Sequence, residues 1–176
     1  YMGIEWEAED ENCANLINHI NNNIIPNSPK LKNRSLPLSA GIGIKPVSKY
    51  GSQRHIRKAL EHAKKLSGNK RHLTLVHKGN IMKFTEGAFR DWGYELAINE
   101  FRNDCITERE SWILDNLEKN HEISIENNAR LIEPGFDKLT NSKRNDICEE
   151  IRHVISSISD SHGENKWKDL VLVDDR

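Results

Sequence analysis

Lys78 and Asn80 are the residues of this chain best placed to do chemistry. They follow a short apolar run, Leu73-Thr-Leu-Val76, and flank Gly79. A lysine there can move a proton near neutral pH only if burial or neighbouring cations draw its pKa down from ~10.4. Lys83 is the nearest such cation, and His77 precedes the lysine directly. The competing reading is a solvated loop lysine beside a turn asparagine. His55 and His62 lie seven residues apart, on one face of an expected helix. No HExxH pattern or carboxylate cluster accompanies them, so they define no zinc site. Lys64, Lys65, Lys70 and Arg71 bracket the end of that helix. Cations there suit the helix dipole.

The elements that position Lys78 and Asn80 are a strand and a helix. Leu73, Leu75 and Val76 are apolar, Thr74 and Val76 are β-branched, and Gly79-Asn80 ends the run. This predicts a buried strand over 73–76. Thr85 predicts an N-cap through its hydroxyl, with Glu86 in the first turn where the dipole favours an anion. Phe84 and Phe89 are spaced for a hydrophobic staple. Phe89, Trp92, Leu96 and Ala97 then form the apolar face of a helix from Glu86 to about Asn99. The pair therefore sits where a strand ends and a loop leads into a helix, the place where open α/β sheets bind ligands.

The chain has 176 residues, enough for one domain or slightly more. Its 26 basic and 27 acidic residues leave a net charge of −1. That gives no electrostatic footprint for nucleic acid or for an anionic membrane. No apolar run reaches the length of a spanning helix, and the 176 residues contain no signal-peptide pattern. Cys13, Cys105 and Cys148 are far apart and odd in number, which predicts free thiols in a reducing compartment, the cytoplasm.

Gly3-Ile-Glu-Trp6 alternates as a strand, and Glu9 to Asn22 patterns as a helix through Leu16, Ile17 and Ile20. Leu36 to Pro46 is extended. Its two glycines, Gly41 and Gly43, predict a strand that something approaches closely. Ser48 caps a helix carrying Ile56, Ala59, Leu60 and Ala63. Asp104 to Arg130 is charged and gives no clear pattern. Pro134-Gly135 is a turn, and Thr140 caps a helix through Ile147, Ile151, Val154, Ile155 and Ile158 that ends before Gly163. Leu170–Val173 reads as a strand with almost nothing after it to cover it. Together with the opening Tyr1-Met2, this predicts a piece of a longer polypeptide.

The stretch Thr74-Leu-Val-His-Lys-Gly-Asn-Ile-Met-Lys-Phe-Thr-Glu-Gly-Ala-Phe-Arg-Asp-Trp-Gly-Tyr94 resembles the signature of bacterial NADP-dependent isocitrate dehydrogenase. Tyr1-Met-Gly-Ile-Glu-Trp6, Gly41-Ile-Gly-Ile-Lys-Pro46 and Glu108-Arg-Glu-Ser-Trp-Ile-Leu114 agree with it. The last of these resembles an insertion of the cyanobacterial-type enzyme. The resemblance runs along essentially the whole chain and marks it as a central segment.

That resemblance implies an α/β architecture, part of the isocitrate/isopropylmalate dehydrogenase-like fold: a small α/β domain plus a clasp, incomplete. Residues 1–47 would be the clasp, 48–103 the small-domain segment, 104–165 the partly helical insertion, and 166–176 a strand leading on. The family is a homodimer with clasp exchange. It oxidises isocitrate, a tricarboxylic acid cycle intermediate, to 2-oxoglutarate and CO₂ with NADP and Mg²⁺ or Mn²⁺. Tyr1 matches the tyrosine that protonates the enol carbon after decarboxylation. Lys78 matches the catalytic lysine that takes the hydroxyl proton, serving the partner subunit's site. Asn80 matches a residue near substrate and nicotinamide. In the family, the serine and arginines that bind substrate precede Tyr1, and the metal-binding aspartates follow Arg176. Asp174 and Asp175 match neither. The segment alone is therefore expected to be inactive. The alternative reading is a non-enzymatic, free-standing piece that associates with a partner through its clasp edge.

Overall fold

The computed structural model describes residues 3–31, 33–68, 71–162 and 166–176, with the side chains of 159–162 and 166 left aside. The chain forms two compact units, Tyr1–Pro46 and Val47–Arg176.

In the first unit, strand β1 (Ile4–Trp6) pairs antiparallel with β2 (Ile42–Ile44), setting Ile4 opposite Ile44 and Trp6 opposite Ile42. The two stretches expected to be extended do pair. Gly41 meets the predicted close approach, because a Cβ there would lie 3.2 Å from the Trp6 carbonyl oxygen. Helix α1 (Glu11–His19) starts two residues later than its pattern suggests. Asp10 is the cap: its Oδ1 accepts from the amides of Asn12 (2.9 Å) and Cys13 (3.2 Å). The helix continues into a π-turn over Ile20–Ile24. Cys13 and Ile17, one turn apart, are its buried residues. Asn21 fixes the return segment, donating to the Leu36 carbonyl (3.0 Å) and accepting from the Leu36 amide (2.8 Å).

The second unit is built on a parallel three-stranded sheet. Its strands are β3 (His72–Leu75), β4 (Cys105–Thr107) and β5 (Val171–Asp175), in the order β3-β5-β4. The last strand is thus the central one. Its cover comes from elements that precede it in the chain. Alternation along β5 sends Val171 and Val173 into one core and Leu172 towards another. The first core lies under helices α2 (Lys49–Ala63) and α3 (Glu86–Glu100), with Ile56, Leu60, Leu75 and Leu96. The second lies under α4 (Glu108–Lys119), α5 (Ile125–Ile132) and α6 (Asn141–His162), with Ile106, Ile113, Ile132 and Ile151. Burial on both faces is the ordinary condition of a parallel sheet.

Ser48 caps α2 as expected, accepting from the Gly51 amide at 3.2 Å. The stretch 104–130, left without structure by its pattern, forms β4, α4 and α5. Its signal was a capping box. Thr107 Oγ1 accepts from the Glu110 amide (3.3 Å), and the Glu110 carboxylate accepts from the Thr107 amide (2.9 Å). Helix α5 hides its period because a buried residue is polar. Asn128 donates to the Ile113 carbonyl (3.0 Å) and accepts from Asn116 (3.0 Å), so its amide is satisfied between α4 and α5.

Candidate functional site

The C-terminal edge of the parallel sheet collects the loop after β3 and the end of β5. Backbone pairing continues past the strands. The Arg176 amide donates to the Leu75 carbonyl (3.1 Å), and the His77 amide to the Arg176 carbonyl (3.0 Å). Val76 is outside the strand and 75 % exposed, contrary to the expected buried run. Leu73 and Leu75 face the helices, so Val76, one residue out of phase, faces away from them.

From His77 the loop closes tightly. The amides of Ile81 (3.1 Å) and Met82 (3.0 Å) both donate to the Lys78 carbonyl. Helix α3 begins at Glu86 as predicted, but not by the predicted means. The Thr85 hydroxyl makes no cap, because Thr85 holds helix-like angles (φ −119°, ψ −75°) instead of extended ones. The Met82 carbonyl receives the Gly87 amide (3.0 Å) in its place. The Glu86 carboxylate reaches back to the Lys78 amide (3.2 Å). Phe84 is 92 % exposed, so it forms no staple with Phe89, which packs on the core.

Lys78 and Asn80 are both exposed in this loop. They line a cleft of about 700 Å³ with Lys83, Arg90, Asp91 and Asp175. Asp91 is already engaged by Arg90, at 2.8 Å from its Nε. With Arg176, four cations line the cleft against the two carboxylates Asp91 and Asp175, so its net charge is positive, suited to an anionic ligand. A second cleft, about 780 Å³, lies beyond Tyr94 and Asp175 between α3, α4 and α6. Its walls are apolar at Ile98, Trp112 and Val154. Its arginines are matched, Arg102 with Glu110 (2.8 Å) and Arg109 with Glu133 (3.1 Å) and Glu150 (2.9 Å). The larger cleft thus offers area, and the smaller one offers unbalanced charge. Tyr1 lies outside the described residues. His55 and His62 are exposed on α2.

Three side chains that the pattern did not single out as a group meet beside Lys78. His77 Nδ1 accepts the Gly79 amide at 2.9 Å, and its Nε2 stands 3.0 Å from Asp175 Oδ2. A nitrogen that accepts an amide proton carries none itself, so the ring proton is on Nε2 and is donated to Asp175. The other carboxylate oxygen, Oδ1, accepts from the Tyr94 hydroxyl at 2.7 Å. Burial pushes the Tyr94 phenol well above its ordinary range, aided by the Asp175 carboxylate. Burial alone would raise the Asp175 carboxyl too. Hydrogen bonds from Tyr94 and His77 outweigh it and hold the group below its usual range. Next along the strand, Asp174 is 2 % exposed. Its Oδ2 pairs with Arg176 at 2.9 Å. His72 Nε2 lies 2.9 Å from Oδ1 but lacks the alignment of a hydrogen bond.

The lowered Asp175 carboxyl yields a stability test. Its folded pKa lies below its unfolded one, so its contribution is complete above the ordinary value of about 3.9 and disappears as pH falls through the folded value. The stability gap between the unaltered protein and Asp175→Asn is therefore expected to be constant from pH 7 to pH 5 and to shrink at pH 3. Urea unfolding of both at each pH measures it. A gap that persists at pH 3 would refute the assignment.

No group of three or more His, Cys, Asp or Glu side chains among the described residues could hold a metal ion. Asp174 and Asp175, the acidic residues of β5, are spent on the partners just named. The described residues therefore do not fit a resident divalent cation. No helix among the described residues is long and apolar enough to cross a membrane. Cys13, Cys105 and Cys148 are buried free thiols.

No protein-family model matches the chain. It is 57 % identical over all 176 residues to isocitrate dehydrogenase [NADP] of Nostoc, covering 37 % of that protein. It is 54 % identical over the same length to that of Synechocystis, again covering 37 %. The enzyme of that name from Archaeoglobus fulgidus is 46 % identical over 112 residues, 64 % of this chain and 25 % of that protein. The chain thus spans about a third of the length of the curated relatives it matches. The resemblance read from its motifs is borne out, and the two cyanobacterial proteins match it from end to end.

Proposed function

We propose that the chain is a segment of an NADP-dependent isocitrate dehydrogenase, an enzyme that oxidatively decarboxylates isocitrate to 2-oxoglutarate and CO₂ with reduction of NADP. The observation that carries this reading is the setting of Lys78. It stands at the C-terminal end of a parallel strand, in a cationic cleft suited to a tricarboxylate, within a chain more than half identical to enzymes of that name. Lys78 takes the proton of the substrate hydroxyl as the carbon bearing it is oxidised. Tyr1 returns a proton to the carbon that loses CO₂, and Asn80 orients the substrate beside the nicotinamide. Lys78 is exposed on its own chain, which fits a residue presented to a second copy. The Mg²⁺ or Mn²⁺ of this reaction, and the NADP, are held mainly by parts of the relatives' length that this chain does not span. Residues 1–47 act as a clasp, 48–103 as the small-domain segment and 104–165 as the insertion. The buried free thiols fit a cytoplasmic protein.

The test is NADPH formation from isocitrate, NADP and Mg²⁺. The full-length polypeptide containing this stretch should turn over, and the 176 residues alone should not. Turnover by the isolated chain, or none by the whole, would contradict the reading. The clasp implies an obligate homodimer. Strands β1 and β2 form a two-stranded ribbon with Ile4 and Ile44 exposed, and a lone ribbon of this kind is marginal without further packing. Sedimentation of the full-length polypeptide at micromolar concentration should give a dimer. A stable monomer there would rule out clasp exchange.

A further inference from the structure

We propose that His77, Asp175 and Tyr94 are positioning residues for Lys78, a three-element hydrogen-bonded chain that fixes the loop from which the lysine ammonium projects. The inference rests on the isocitrate dehydrogenase reading for its catalytic consequence and on geometry for the rest. The lysine has no rigid element of its own, lying beyond β3 and before α3. Its own amide is held by the Glu86 carboxylate (3.2 Å), and the next residue is held by the His77 ring. On one side Nδ1 takes the Gly79 amide (2.9 Å), and on the other Nε2–H meets Asp175 (3.0 Å). The two sides of the ring carry opposite roles, acceptor and donor, so a flipped ring satisfies neither partner. Asp175 belongs to the central strand β5 and is held in turn by Tyr94 of α3 at 2.7 Å.

The loop is also fitted closely against α3. A Cβ on Gly79 would lie 2.8 Å from Gly87 Cα and 2.9 Å from His77 Nδ1. Gly79 and Gly87 therefore let the loop and the helix start touch backbone to backbone, which sets the distance of Lys78 from the helix. The His77 side chain is 7 % exposed. A part-buried polar chain of this kind gives little net stability over an apolar filling, but it specifies one orientation. Reacting groups need that specification, since a misplacement of about 1 Å costs as much as ~10²-fold in rate.

Two substitutions at one residue separate the two bonds. His77→Asn keeps an oxygen where Nδ1 stands and loses the link to Asp175. His77→Gln keeps a donor near Nε2 and loses the acceptor for Gly79. In the full-length polypeptide, each should lower kcat by about 10- to 100-fold, while KM for isocitrate moves by less than about threefold. Tyr94→Phe should lower kcat by about 3- to 10-fold with the same split. Hydrogen exchange at the Gly79 amide should accelerate in His77→Gln and stay slow in His77→Asn. A merely structural role predicts loss of Tm with kcat unchanged, and that result overturns the proposal. So does slow Gly79 exchange in His77→Gln. Lys78→Met, run alongside, keeps the two readings apart. If it retains turnover, the enzymatic role of the lysine fails, while the Gly79 exchange still decides whether His77 holds the loop. If it loses turnover and both His77 variants keep theirs, only the positioning proposal fails.

Discussion

Lys78→Met in the full-length polypeptide containing this stretch is expected to lower kcat by roughly 10²–10⁴-fold, the range for losing a general acid–base group. The substitution keeps the length and apolar stem of the side chain and removes the ammonium. Isocitrate binding should weaken less, because in the related enzymes most of the substrate's charge is expected to be met by arginines outside this stretch. The fold should survive, since Lys78 is exposed and its loop is held by backbone and His77 contacts. Lys83→Met is the matched control, a cation lining the same cleft with no assigned part in proton transfer. Steady-state kinetics of both variants at saturating isocitrate, NADP and Mg²⁺ decides the matter. Near-normal kcat in Lys78→Met would return the residue to an ordinary loop lysine.

The largest expected loss of stability is at Leu60. Its side chain is fully buried, on the face of α2 that packs with α3 and the sheet, among Ile56, Ala63, Leu75, Leu96 and Val173. Leu60→Ala removes the apolar contacts and leaves a cavity that rigid neighbours close only in part. The cost should be about 2–5 kcal/mol. Each kcal/mol lowers Tm by roughly 2–4 °C in a domain of this size. Leu131, on α5, provides the comparison: it is 65 % exposed, and its truncation should fall within about ±0.5 kcal/mol. Denaturant unfolding of the two variants measures both. Equal effects would mean that the α2–α3 layer is not the core described here. A large effect at Leu60 also bears on function, because α3 carries Tyr94 and Gly87 to the Lys78 loop.

Much of this molecule is written locally. The 3.6-residue recurrence of Ile56, Leu60 and Ala63 and of Ile151, Val154 and Ile158 specifies helices, because only a helix puts such residues on one face. Ser48 marks a start for a reason contained within three residues. The run into Gly79 located the strand end, and with it the loop that carries Lys78 and Asn80. Cap chemistry was legible only where the backbone cooperated. Ser48, extended at ψ 148°, caps, whereas Thr85, at ψ −75°, does not. That angle is imposed by the loop's closure onto Met82 and Gly87.

Tertiary structure alone decided the rest. Strand β4, Cys105–Thr107, is buried at all three residues, so it carries no alternation to read. A residue one step out of phase, Val76, reads as apolar core but lies past the end of β3 and is exposed. The final strand enters between two strands laid down earlier, an order that no local pattern encodes. That insertion brings Asp175 to His77 across 98 positions and to Tyr94 across 81. Local periodicity reports which face of an element is apolar. It is silent about which distant element that face will meet. The sequence therefore determined where the lysine loop is, and only the packing of β5 against α3 determined what holds it.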